Sequence, residues 1–137
     1  MGFKKDFIDG IKSLHSFDIK KKHAIEDAEE LIHNYFSTLD NELDEYFEAA
    51  KFNLRFLKTE NSYKIQYDDY YLLVGLNGAT INVAVRPIGT VYEEILTFSN
   101  QEFKFFSRKH KLELSEELLD TYLKDTFEKI ITTSSIR

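Results

Sequence analysis

The sequence predicts an α+β fold: two N-terminal helical segments, a six-stranded antiparallel meander and a C-terminal helix, with the helices packed on one sheet face. Three observations carry this reading. Apolar residues recur at helical spacing to about Ala50, the period changes from 3.6 to 2 after Lys51, and a last helical stripe follows Ser115. At 137 residues the chain reads as one domain, 1–137, helical over 1–50, antiparallel sheet over 51–114 and helical again over 115–131.

Phe3, Phe7, Ile8, Ile11 and Leu14 fall on one stripe, which makes residues 3–14 a short amphipathic helix weakened slightly by Gly10. Ser16 or Asp18 can cap the next helix. Its apolar positions, Ile25, Ala28, Ile32, Tyr35, Leu39, Tyr46 and Ala50, keep spacings of three, four or seven. Unbroken over 19–50 it would run ~48 Å, long for so small a domain. A kink or a division into two helices is therefore expected near Thr38–Asn41, where Ser, Thr, Asp and Asn cluster.

Five turn signals divide the middle of the chain into six strands: Thr59–Ser62, Asp68-Asp69, Asn77-Gly78, Pro87–Thr90 and Ser99–Glu102. A two-residue loop at Asn77-Gly78 pairs Leu76 with Ala79, Leu72 with Val83 and Val74 with Ile81. The same treatment of Asp68-Asp69 pairs Tyr67/Tyr70, Ile65/Leu72 and Tyr63/Val74, and the first loop adds Phe56/Ile65 and Leu54/Tyr67. One register per turn thus puts nearly every large apolar side chain on one face, with Leu72, Ile81 and Val83 at its centre. Glu94 alone is turned inward against the pattern, which calls for a sheet edge or a bulge there.

Ser115 is a good N-cap, and Glu116 and Glu117 suit the positive end of the helix dipole. Leu118, Leu119, Tyr122, Leu123, Phe127, Ile130 and Ile131 form the apolar stripe, beyond which Thr132–Arg137 should fray. The three helical stripes are what the chain offers to cover the sheet. This order of elements resembles, in topology alone, the helix-grip lipid-binding folds of the START and Bet v 1 type, without the strand with which those begin. The resemblance implies an apolar cavity between sheet and helix.

The side chains call for no catalytic machinery, no cofactor and no metal. Cysteine is absent, which removes disulfides, thiolate zinc sites and thiol nucleophiles. Glu30-Leu31-Ile32-His33, with Glu26 one turn earlier, matches half of a di-iron Glu-x-x-His arrangement, but the second half is missing, so it reads as a polar helix face. Gly75, Gly78 and Gly89 fit no phosphate loop, and Asp68-Asp69 reads as a turn pair. Nothing resembles a signal peptide, a myristoylation signal or a spanning segment; the longest uncharged run, Tyr70–Val85, is 16 residues. A soluble cytoplasmic protein is expected, and the Lys-, Glu-, Ile- and Asn-rich composition points to an AT-rich bacterial or phage genome.

Charge is unevenly distributed. Residues 1–22 carry six Lys against three Asp, residues 23–50 carry nine acids with no Lys or Arg, and the remainder is balanced, giving −6 for the chain. The acidic helical surface, with Glu26, Glu29, Glu30, Asp44 and Glu45, is a candidate for steering a basic protein partner and disfavours nucleic acid. The second sheet face is the other candidate: Tyr71, Leu73, Ile95 and Phe106 make it more apolar than a wet face usually is, and Glu93 falls opposite Arg108. The reading is a small non-catalytic interaction protein, an inhibitor, immunity or accessory factor, binding a protein partner or a second copy through the acidic helix or the open face. A small apolar-ligand-binding protein or enzyme with a pocket between sheet and helices is the alternative; neither reading involves a membrane.

Overall fold

A computed structural model describes residues 2–135. It is α+β, with four helices and a seven-stranded antiparallel sheet. Helices α1 (Phe3–Leu14), α2 (Ser16–Glu42) and α3 (Asp44–Ala49) come first. Strands β1 (Leu54–Lys58), β2 (Ser62–Tyr67), β3 (Tyr70–Asn77), β4 (Thr80–Arg86), β5 (Tyr92–Ser99), β6 (Lys104–Ser107) and β7 (Leu112–Glu113) follow in spatial order, and α4 (Glu116–Ser135) closes the fold. The seventh strand is two residues long, too short to leave a period-2 signature in the sequence.

The expected break in the long helix lies at Leu43 (φ −106°, ψ 8°), just past the polar cluster at Thr38–Asn41. The Thr38 hydroxyl donates back to the Asn34 carbonyl at 3.0 Å, a contact helices tolerate, so the cluster bends into the helix without ending it. No side chain caps α2, contrary to the role expected of Ser16 or Asp18: Ser16 is its first residue and bonds back to the Ser13 carbonyl, while Asp18 pairs with His15 at 2.8 Å. Ser115 does cap α4, accepting the Leu118 N–H at 3.2 Å. That helix extends to Ser135; residues 136–137, the end of the Thr132–Arg137 tail expected to fray, lie outside the described residues.

The pairings across the first, second and fourth turns follow the sequence-based register, with Phe56 opposite Ile65, Ile65 opposite Leu72 and Val83 opposite Glu94. Two turns differ. The β3–β4 loop is Gly78-Ala79 rather than Asn77-Gly78, so Leu72 pairs with Val85 and Val74 with Val83. Only Gly78 has positive φ (61°), as a hairpin with glycine at the first central position requires, and Asn77 stays in the ladder. The β5–β6 loop likewise sits one residue later, with Phe103 at φ 56°, so Phe98 faces Phe105 and Arg108 does not oppose Glu93. Moving a turn by one residue shifts each pairing by two, which preserves the face of every side chain.

The inner face therefore carries Tyr63, Ile65, Leu72, Val74, Ile81, Val83, Val85, Leu96 and Phe105, all buried. Helix α4 lies on β3 and β4, supplying Leu118, Leu119, Tyr122 and Phe127. Helix α2 packs beside it with Ala28, Ile32 and Phe36, the last stacked on Tyr63 at 5.2 Å with the rings nearly parallel. Among the described residues, these helices and α3, which meets β1, cover the sheet. The α1 stripe, expected to help, buries none of its residues: periodicity shows that a helix has an apolar face but not what that face will meet.

Leu72 is fully buried between α4 and the neighbouring strands. Leu72→Ala is expected to cost ~2–5 kcal/mol in urea denaturation, from lost transfer energy and the cavity left behind; a loss below about 0.5 kcal/mol is inconsistent with a close-packed interior here.

Candidate functional site

The outer face of the sheet has no helix over it and carries an open groove of about 1160 Å³. Its shape follows from side-chain size. Gly75, Asn82 and Ala84 are neighbours across β3 and β4, and a methyl group built on Gly75 would meet nothing within 4 Å. Leu73 on β3 and Ile95 on β5, the latter 62% exposed, line the groove, with Glu93, Arg108 and Lys109 supplying charges of both signs. Of the expected face residues, Leu73 and Ile95 thus share one groove. Tyr71 and Phe106 lie on the same face outside its lining; Tyr71 is covered by the Lys64 ammonium at 4.3 Å, and Phe106 pairs with Thr97.

The acidic residues lie elsewhere. Glu26, Glu29 and Glu30 are exposed on α2, and Asp44 and Glu45 in the first turn of α3. These helices belong to the layer on the inner side of the sheet, so the acidic surface and the outer groove are two separate surfaces. The Glu30-x-x-His33 spacing is occupied by internal bonding: His33 Nδ1 meets the Tyr63 hydroxyl at 2.8 Å, and Glu26 sits 3.9 Å from Lys22. Among the described residues, no group of three or more His, Asp or Glu side chains is placed to hold a metal ion.

A polar cluster between β5, β6 and α4 has no counterpart in the sequence-based reading beyond the anomaly at Glu94. Glu94 does point inward, opposite Val83 and with no bulge; β6 pairs with β5 only over Thr97–Ser99, so at Glu94 the strand is paired with β4 alone, the edge setting the sequence calls for. Its carboxyl group accepts from the Tyr122 hydroxyl at 2.8 Å and from the Ser107 hydroxyl at 2.9 and 3.0 Å. Ser107 in turn accepts the His110 N–H at 3.0 Å. Asp125, one turn beyond Tyr122 on α4, accepts from the Tyr92 hydroxyl at 2.5 Å and lies 3.1 Å from His110 Nε2. Burial first, and then the hydrogen bond to Asp125, raises the Tyr92 pKa beyond the ordinary phenol range. Burial does the same at Tyr122, where the bond to Glu94 adds and Ser107 opposes. Both tyrosines are thereby held as neutral donors, which suits structural bonds rather than proton abstraction. Ser107 is buried with its hydroxyl engaged on both sides, so the cluster offers no free nucleophile.

Between α2, α4 and the first two strands lies an apolar crevice of about 930 Å³, walled by Leu39, Leu43, Leu54, Tyr67, Leu123 and Ile130. It is an open cleft rather than the enclosed cavity that the helix-grip resemblance implies. The charged groups along it, Asp120, Lys124 and Glu128, are all exposed and do not converge on its floor, as they would in a pocket that orients a small ligand.

Glu94→Ala leaves the Tyr122 and Ser107 hydroxyls without their acceptor in a buried layer. A loss of about 1–3 kcal/mol is expected in urea unfolding, and a smaller one for Glu94→Gln, which keeps an acceptor oxygen. A second expectation concerns alkaline pH. The native state raises the pKa values of Tyr35, Tyr92 and Tyr122 above those of the unfolded chain, so the stability they contribute is complete below about pH 10 and is lost as pH rises beyond it. The urea midpoint should therefore fall between roughly pH 10 and 12, with tyrosinate absorbance appearing as the chain unfolds. A midpoint constant across that range contradicts the network.

Comparison with protein families, with characterised proteins and with solved structures finds no match to this chain.

Proposed function

We propose that this chain is a small non-catalytic interaction protein, an inhibitor, immunity or accessory factor, that seats a protein partner in the groove on the outer face of its sheet. The observation that supports this most directly is the groove itself: a low floor of Gly75 and Ala84 flanked by Leu73 and Ile95, with Glu93 and Arg108 beside it. A partner side chain set down on that floor loses water from apolar surface on both sides, while the flanking charges fix its register. The polar cluster around Glu94 supports the non-catalytic part of the reading, since among the described residues no buried side-chain polar atom lacks a partner. The acidic residues of α2 and α3, on the other side of the sheet, act at longer range and favour approach of a basic partner.

Gly75 has no left-handed backbone and open space above it, so Gly75→Tyr fills the groove without straining the strand. Capture with the tagged protein from its native host, read by mass spectrometry, is expected to recover a protein that Gly75→Tyr and Leu73→Lys both release. Reversing Glu26, Glu29 and Glu30 to Lys should slow that partner's association and flatten its salt dependence without abolishing binding. A partner held equally well by Gly75→Tyr removes the groove as its site.

A further inference from the structure

Helix α1 stands out from the rest of the molecule. Every residue from 2 to 20 is exposed, including Phe3 at 72% and Leu14 at 76%. A helix of 12 residues with glycine at position 10 is marginal in water by its own hydrogen bonds, so its stability calls for something over the stripe of Phe3, Phe7, Ile8, Ile11 and Leu14. At the far end of α2, the crevice between α2 and α4 exposes apolar surface, and Ile131 at its wall is 65% exposed.

The two unpartnered surfaces match in kind and in charge. One is a single amphipathic helix and the other an apolar cleft, the pairing used when a helix lies in a groove. Helix α1 itself carries three Lys against two Asp, whereas residues 23–50 carry nine acids and no Lys or Arg. Asp120 and Glu128 line the crevice together with Lys124, and Asp40, Glu42, Asp44 and Glu45 flank its wall residues Leu39 and Leu43 in sequence. The two surfaces cannot meet within one chain. From His15 to Leu39 the helix rises ~36 Å, and α1 is only ~18 Å long even if folded back along it.

We infer that α1 of one copy docks in the α2–α4 crevice of a second copy, and that the exchange is reciprocal, forming a two-fold dimer. Phe7 and Ile11 enter the cleft, and Lys4, Lys5 and Lys12 of α1 lie beside the acids that border it, while Lys20, Lys21 and Lys22 stay with Phe103, Phe98 and Glu26 of their own chain. Reciprocal exchange covers both apolar surfaces at once and leaves no open end, as closed two-fold assemblies do. The contact is separate from the outer groove and does not depend on it.

The chain has no cysteine, so introduced thiols are unique reporters. Mixing Ile8→Cys with Ile131→Cys under mild oxidation is expected to give the cross-linked heterodimer in preference to either homodimer. In sedimentation at high micromolar concentration the full chain is expected to run as a dimer, weakened tenfold or more by Phe7→Glu and by Ile131→Glu and unaffected by Leu73→Lys. Both altered positions are exposed, so far-UV circular dichroism and urea midpoints should show that the fold survives. A monomer at that concentration overturns the inference, as does a dimer indifferent to Phe7→Glu. A dimer lost with Leu73→Lys places the contact on the sheet and overturns it too. A monomer that pellets with phosphatidylglycerol vesicles through Phe7 identifies a membrane surface as the occupant instead.

Discussion

Leu72, Val74, Val83 and Val85 stand on one side of two adjacent central strands, and their burial against Leu118, Leu119 and Tyr122 of α4 constrains the rest of the molecule. Each Leu or Val removed from water contributes about 1.5–3 kcal/mol, a large share of the net stability of a small domain. Because the strands form an unbroken meander, fixing the inner face of β3 and β4 fixes the inner face of every strand paired outward from them. The helices then have one side of the sheet to occupy, and the other side stays bare.

Burial on that inner face raises a difficulty at Glu94, which the alternation sends into the same layer as Leu96 and Val83. A carboxyl group there is costly unless its oxygens find donors. The helix that covers the apolar residues also supplies one, since Tyr122 both packs in the core and donates to Glu94, while Asp125 on the next turn holds Tyr92. Helix α4 is thus tied to β5 by directional bonds as well as by contact, which gives its packing a preferred rotation and register. The raised tyrosine pKa values are a consequence of that arrangement: the same dry surroundings that strengthen the bonds disfavour the phenolate.

Covering one face leaves the protein with surfaces of different character. The outer groove is shaped by the missing side chain at Gly75 and the small one at Ala84, whereas the acidic helices lie across the sheet from it. Helix α1 and the crevice are an apolar surplus, one convex with three Lys and two Asp, the other concave with Asp120, Lys124 and Glu128 along it.

The sequence by itself determined the class of every long element and the face of every long strand. Two hairpin turns, at Gly78-Ala79 and before Lys104, sit one residue from where composition places them, yet the inward and outward sets survive because the pairing moves by two. The inward placement of Glu94 was legible for the same reason, and so was the outward placement of Leu73 and Ile95. Only the tertiary structure decided what lies over each face. Whether the α1 stripe is covered, where Tyr122 and Asp125 find Glu94 and Tyr92, and how low the floor between Leu73 and Ile95 runs all depend on residues far apart in the chain. Periodicity is a local property, set by the backbone geometry of one segment, whereas cover, hydrogen-bond partnership and cavity shape arise only when distant segments come together.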